Sequence, residues 1–275
     1  MLISIITVNY NNKAGLQDTL QSGQEQYGNL HEHIVVDGDS TDGSKTVIED
    51  FKAYLSHGVS EPDTGIYNAM NKGIKHAKGE YLLFLNSGDT LYDPKVIEKV
   101  SLKLKDGFDI YYGDLVVRKN GNERTITFPE KLSFNYFFHK GYLPHPATFL
   151  KRRLFETISL YNENLKIASD WEFMVCAICK HKATYSHLDF VISKYEADGI
   201  SSNPANKEMV RKEKFMILED HFALFIDDNH RLIALDEMTQ SNRFKMLTKL
   251  EKSNTARKLN SFWLRTLSSI FVKKK

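Results

Sequence analysis

Ile3-Ser4-Ile5-Ile6-Thr7-Val8-Asn9-Tyr10-Asn11-Asn12 is a continuous apolar, β-branched run that stops abruptly in amide side chains. His33-Ile34-Val35-Val36 is a second such run, closed by Asp37-Gly38-Asp39-Ser40-Thr41-Asp42-Gly43, and Tyr81-Leu82-Leu83-Phe84-Leu85 is a third, closed by Asn86-Ser87-Gly88-Asp89. Runs that do not alternate apolar with polar predict strands buried on both faces, as in a parallel sheet. Between them the spacing predicts helices over roughly 13–26, 43–56 and 65–78. Strand–helix–strand order argues for an open α/β sheet.

In such sheets ligands bind beyond the carboxyl ends of the strands. All three closing loops are polar, and two are rich in carboxylates. Each is also a plain turn, and Ser40 or Asp42 would cap a following helix. Three such loops at one edge favour a shared site. A hard divalent cation, Mg²⁺ or Mn²⁺, takes oxygen ligands, often one or two carboxylates plus substrate phosphates. Asp89 is the candidate carboxylate and Asn86 a neutral oxygen. The chain has no G-x-G-x-x-G and no G-x-x-x-x-G-K-[ST], so a nucleotide would be held in another way.

Working outward, 109–118 and 124–128 read as a hairpin turned by Lys119-Asn120-Gly121-Asn122. A helix is expected over 169–181 and short strands near 184–195. After Pro204 the pattern is helical and highly charged. The expected organisation is a domain over 1–204, split near 105/106 into donor and acceptor halves, and a helical basic tail over 205–275.

Composition fits this picture. The 275 residues are 41% hydrophobic and 26% charged, with 15 Gly and 6 Pro, which excludes collagen-like, low-complexity and disordered classes. No apolar stretch approaches the ~20 residues needed to cross a bilayer, and the first residues lack a signal-peptide pattern, so a cytoplasmic location is expected. Cys176 and Cys179 form no disulfide framework, and C-x-x-C within a helix reads as core packing.

The net charge of +2 is unevenly spread. Ser241–Lys275 holds ten Lys or Arg and one acidic residue, a local +9 that leaves −7 for the rest. Leu259, Phe262, Trp263, Leu267, Ile270 and Phe271 recur there at helical spacing. A basic amphipathic helix of this kind fits an anchor lying on a membrane. Docking on the protein's own body or on a second subunit, as in a homodimer, is the alternative. An acidic body argues against nucleic acid.

Taken together, Ser4–Asn11, Val35–Ser44, Ser60-Glu61-Pro62-Asp63-Thr64-Gly65-Ile66-Tyr67-Asn68-Ala69-Met70-Asn71-Lys72-Gly73, Gly79–Asp89, His145-Pro146-Ala147-Thr148-Phe149, Ile167–Glu172 and Asp198–Ser202 resemble the family 2 glycosyltransferases. The bacterial surface-polysaccharide branch that includes colanic-acid enzymes is the most similar. The resemblance covers about residues 3–203. It implies a GT-A fold: an open, mostly parallel sheet flanked by helices, here with a C-terminal helical tail. It also implies a nucleotide-diphosphate sugar donor, with a UDP-sugar expected, a divalent metal, and inversion at the anomeric carbon. The acceptor would be a glycan or lipid-linked oligosaccharide at the inner face of a bacterial plasma membrane.

By position, Thr7, Val8, Asn9, Tyr10, Asp37, Asp39, Asp63 and Lys72 would hold the donor nucleotide. Gly38 stands where the family has a second carboxylate, with Asp39 as the neighbour that would replace it. Asp89 and Asn86 would hold the metal. Asp170 matches the catalytic base, with a modestly raised pKa expected. His145, Trp171 and Glu172 are candidate acceptor contacts, Trp171 by stacking on a sugar face. Taken alone, Ser169-Asp170 ahead of an apolar run also reads as a helix cap, and His145 as an ordinary hydrogen-bonded loop residue. A sugar nucleotidyltransferase and an inactive glycan-binding subunit are the rival functions.

Overall fold

The computed structural model describes residues 2–119, 121–139, 141–196 and 204–271. It opens with β1 (Ile3–Asn9), α1 (Lys13–Gln24), β2 (His31–Asp37), α2 (Ser44–Asp50), β3 (His57–Ser60), α3 (Ile66–His76) and β4 (Tyr81–Phe84). There follow β5 (Thr90–Leu91), α4 (Val96–Leu104), β6 (Ile110–Lys119), β7 (Asn122–Ile126), α5 (Phe134–His139), β8 (Thr148–Lys151), α6 (Arg153–Thr157), α7 (Ser169–Val175) and β9 (Tyr185–Glu196). The chain ends in helices α8 (Lys207–Phe222), α9 (Ile226–Gln240), α10 (Asn242–Glu251) and α11 (Asn254–Phe271). The segment Asp198–Ser202 lies outside the described residues.

One sheet runs in the order β3-β2-β1-β4-β8-β6-β9-β5, with β7 beside β6. The first four strands are parallel. Then β8 runs antiparallel to both β4 and β6, and β9 pairs with β6 in parallel. All seven residues of β1 and all four of β4 are buried, as continuous apolar runs require when helices cover both faces. On one face Ile5, Leu83, Val96, Val100, Tyr111 and Phe149 pack together. On the other, Leu16, Leu20, Val35 and Val47 do.

Several elements differ from the sequence-based reading. The 184–195 region is one twelve-residue strand. The 169–181 helix is α7 followed by a π-helical turn over Cys176–Lys180. The strands β3, β5 and β8 were not predicted; each has four residues or fewer and carries little periodicity. The chain divides into two compact units, Met1–His221 and Phe222–Lys275. The first therefore includes most of α8, beyond the Asn203-Pro204 boundary that composition suggested.

Candidate active site

The carboxyl ends of β1, β2 and β4 bring the three polar loops together. Asp37 is fully buried, and its carboxylate accepts from Asn9 Nδ2 (2.6 Å), Ser40 Oγ (2.6 Å), Ser40 N (2.9 Å) and Ser60 Oγ. Burial pushes its pKa up, but these hydrogen bonds outweigh that and hold it below the usual range. Asp37 thus braces the loop, with no oxygen left open. Thr7 is buried too: its hydroxyl donates to Leu85 O (2.7 Å) and meets His33 Nε2 (2.8 Å), riveting β1 to its neighbours. The Val8 side chain packs in the core. Thr7 and Val8 therefore offer no side-chain contact to a nucleotide. Of the β1 candidates, Tyr10 is open, at 70% exposure. Asn9 Oδ1 is buried without a partner.

The place of the missing second carboxylate is filled from elsewhere. A Cβ built on Gly38 would lie 2.5 Å from Asp63 Oδ2 and 3.2 Å from the Tyr10 ring. Asp63 therefore occupies the space that a side chain at position 38 would take. Asp39, the replacement that sequence suggested, instead forms an exposed ion pair with Lys45 (2.6 Å). Lys72 on α3 donates to Pro62 O (2.8 Å) and pairs with Glu61 (2.7 Å), so it pins the segment bearing Asp63.

Asp89 is 4% exposed, and burial pushes its carboxyl up to about 7, opposed first by the charge of His145. Asn86 Nδ2 lies 3.0 Å from His145 Nε2, while Asn86 Oδ1 is buried and unpartnered. No group of three His, Cys, Asp or Glu is placed to hold a metal among the described residues. A carboxyl and one orphaned amide oxygen match a hard cation that takes its other ligands from a diphosphate. The positive φ of Gly88 (103°) makes the sharp turn between them.

Across the site, Asp170 lies in the first turn of α7. The N-cap of that helix is Ala168, so Asp170 is not its cap. Oδ1 accepts from the Tyr67 hydroxyl (3.1 Å) and from Trp171 N (2.9 Å), and Oδ2 lies 3.3 Å from His145 Nδ1. Burial raises its pKa, but His145 foremost, then Trp171 N and Tyr67, outweigh that and lower it. The raised pKa that sequence suggested is thus corrected: Asp170 is ionised at neutral pH. His145 is shifted up; burial opposes this, and the bond to Asp170 drives it. With one ring nitrogen on Asp170 and the other on Asn86, His145 bridges the two candidate centres and has no nitrogen left for an acceptor.

Trp171 is 4% exposed and donates through Nε1 to Gly141 O (2.8 Å), while the Lys214 ammonium sits 4.8 Å from its ring centroid. It has no free face for stacking on a sugar. Glu172 lies two residues from Asp170, hence on another side of the helix. It pairs with His221 (3.0 Å) and lines a separate cavity of about 420 Å³ with Ser169, Cys176, Lys180 and His181. The side chains of Trp171 and Glu172, expected as acceptor contacts, are thus engaged with Gly141, Lys214 and His221.

Tyr67, Glu213 and Lys214 went unassigned in the sequence. Tyr67 lay inside the Ser60–Gly73 motif without a role of its own. Glu213 and Lys214 lie beyond the motifs, on a helix whose charge pattern resembles any solvated surface.

A mostly parallel α/β sheet with three polar loops at one edge, and a carboxylate, Asp170, bridged to them through His145, defines a GT-A-type transferase scaffold. The chain belongs to glycosyl transferase family 2, whose model matches residues 4–160. It is 32% identical over 207 residues to an uncharacterized glycosyltransferase of Mycobacterium tuberculosis, covering 73% of this chain and 77% of the relative. It is 28% identical over 217 residues to a PGL/p-HBAD biosynthesis glycosyltransferase of Mycobacterium bovis, covering 77% and 83%. Among solved structures, S. aureus TarS 1–349 in complex with UDP matches with a TM-score of 0.63 at 21% identity, over 80% of this chain and 66% of that one. The mannosyltransferase PcManGT from Pyrobaculum calidifontis, in complex with GDP-Man and Mn²⁺, matches with a TM-score of 0.55 at 15% identity, over 95% and 87%. At these identities the two structures speak for the fold.

Proposed function

We propose that this family 2 enzyme moves a sugar, with inversion, from a nucleotide-diphosphate sugar to a hydroxyl of a glycan or lipid-linked acceptor in surface-polysaccharide synthesis. The observation that carries the reading is Asp170: a half-buried carboxylate held by Tyr67, Trp171 N and His145, across from the loops that follow β1, β2 and β4. UDP is the expected nucleotide, since the matching TarS structure holds it.

The donor lies against Tyr10 and Asp63, with Lys72 holding the 61–63 segment over it. Asp170 takes the proton of the acceptor hydroxyl as its oxygen attacks the anomeric carbon. The bond from that carbon to the diphosphate breaks on the opposite side, so configuration inverts and the nucleoside diphosphate leaves with the electron pair. A divalent cation, Mn²⁺ or Mg²⁺, would be held by Asp89 and Asn86 and would supply charge neutralisation at the leaving group.

In the second unit, α11 leaves Leu259, Phe262, Trp263, Leu267, Ile270 and Phe271 exposed. No helix among the described residues is long and apolar enough to cross a membrane. This basic amphipathic helix supports peripheral binding to an anionic bilayer. Deleting residues 255–275 is expected to release the protein from anionic liposomes; unchanged binding refutes that role.

The test of function is a panel of nucleotide sugars with Mn²⁺ and a mixed glycan acceptor. Release of nucleoside diphosphate supports transfer. Release of pyrophosphate indicates nucleotidyl transfer, and nucleotide binding with no release of either indicates a binding subunit.

A further inference from the structure

Three lysines place their ammonium over an aromatic ring: Lys151 over Tyr81, Lys194 over Tyr92 and Lys214 over Trp171. Lys151 is also paired with Glu80 (3.5 Å), and Lys194 with Glu123 (3.4 Å). Lys214 has no ion pair and no side-chain hydrogen bond among the described residues. It is half-buried nonetheless. A cation–π contact contributes only about 0.5–2 kcal/mol, whereas a withdrawn ammonium without a counter-ion stays under-compensated.

The placement of Lys214 is fixed by its neighbour. The Glu213 carboxylate accepts from the backbone N–H groups of Lys166 (2.8 Å), Ile167 (3.0 Å) and Ala168 (2.9 Å), the strip that leads into Asp170. This clamps α8 against the start of α7 and delivers Lys214 to the Trp171 ring. Loss of hydration lowers the Lys214 pKa, and the charge of Asp170 acts on it through space in the raising direction. Asp170 has its own donors, and none of them is Lys214. The cation is therefore beside the base but not consumed by it.

We propose that Lys214 is the docking point for an anionic group, a phosphate or a carboxylate, on the acceptor substrate. The assignment rests on Asp170 being the base, since Lys214 sits over the ring of Trp171, the residue next to Asp170 in the chain. The acceptor class is then a charged glycan or glycosyl phosphate rather than a neutral sugar. An anion supplies the counter-charge that the protein leaves out, and the Trp171 ring holds the ammonium in place while the site is empty.

Trp171 and Trp263 are the only tryptophans, so a full-length Trp263→Phe protein reports on Trp171 alone. With UDP and Mn²⁺ saturating and ionic strength constant, inorganic phosphate, glucuronate and glucose are titrated separately while Trp171 fluorescence is read. Phosphate or glucuronate is expected to give a saturable change, and whichever does names the anion. Glucose is expected to give none. Lys214→Met should weaken the midpoint at least tenfold, and Lys214→Arg should restore it. Lys214→Gln, with a thermal melt, takes the place of Lys214→Met should that variant misfold. No saturable response to either anion, an equal response to glucose, or a response that survives loss of the ammonium overturns the proposal. If the anion binds but no nucleotide sugar is ever turned over, the Lys214 site stands and the transfer reading falls.

Discussion

Replacing Glu213 with Ala tests whether α8 is part of the catalytic unit. Glu213 is 9% exposed and accepts three backbone hydrogen bonds. Bonds to a charged group contribute about 1.5–3 kcal/mol each, and a buried donor left unpaired costs about 1–3 kcal/mol. The three donors are not equally sheltered. Lys166 is exposed, Ile167 is half-buried and Ala168 is buried, so water replaces the carboxylate at the first and not at the last. The expected loss is therefore about 3–5 kcal/mol rather than the sum of three full terms. Urea unfolding followed by Trp171 fluorescence in the Trp263→Phe background reads this unit directly. Met209→Ala on the same helix, at an exposed position, is expected to stay within about 1 kcal/mol of the parent. Hydrogen exchange at residues 166–168 should rise selectively in Glu213→Ala, and turnover should fall more than UDP affinity. A Glu213→Ala protein within 1 kcal/mol of the parent, with those amides still protected, would refute the clamp.

Asp170→Asn is expected to lower turnover by about 10²–10⁴-fold while UDP affinity measured by calorimetry stays near parental; parental turnover would remove Asp170 as the base, and Glu172, on another side of α7, is not its substitute. Asp89→Asn should weaken Mn²⁺-dependent UDP binding, because it removes the one carboxylate of that loop, and equal Mn²⁺ dependence in the variant would contradict the assignment. His33 is buried, and loss of hydration lowers its pKa to about 3. It stays neutral in the folded state while the unfolded chain protonates near 6.5, so its contribution to stability is present above that pH and is lost as pH falls toward 3, by up to about 1.4 kcal/mol per unit. An NMR titration should show one imidazole that does not titrate above pH 4 in the folded protein; ten ordinary titration curves would contradict this.

The sheet and its binding edge were legible because both-face burial writes itself as uninterrupted Ile, Val and Leu. The motif singles out Asp170 as a candidate. Its environment was not legible, because Tyr67 and His145 reach it from elements far apart in the chain, and no local pattern records a meeting 103 residues long. The carboxylates of the donor loops also have partners that the sequence does not show. Asp37 reads as a ligand, yet folding spends its oxygens on Asn9, Ser40 and Ser60. Trp171 reads as a stacking platform, yet its ring is already covered. Helical phase separates Glu172 from its neighbour Asp170, which adjacency in the sequence conceals. α8 was placed with the tail because charge composition cannot distinguish a solvated helix from one that buries a single carboxylate.

The geometry at Gly38 reaches beyond this chain. The volume beside Tyr10 holds one carboxylate, here delivered by Asp63 from the segment after β3 rather than from the end of β2. Side chains at positions 38 and 63 therefore compete for one space, and the half-buried Asp63 has to turn aside for any side chain at 38. In any chain sharing this backbone, an acidic residue at the first should coincide with a small residue at the second or with a carboxylate there that is turned away. A Gly38→Asp exchange should therefore be accommodated by rotation of the Asp63 carboxylate away from Tyr10, and shortening Asp63 should make that rotation unnecessary. The 2.5 Å approach thus couples the two positions through a single side chain that can turn.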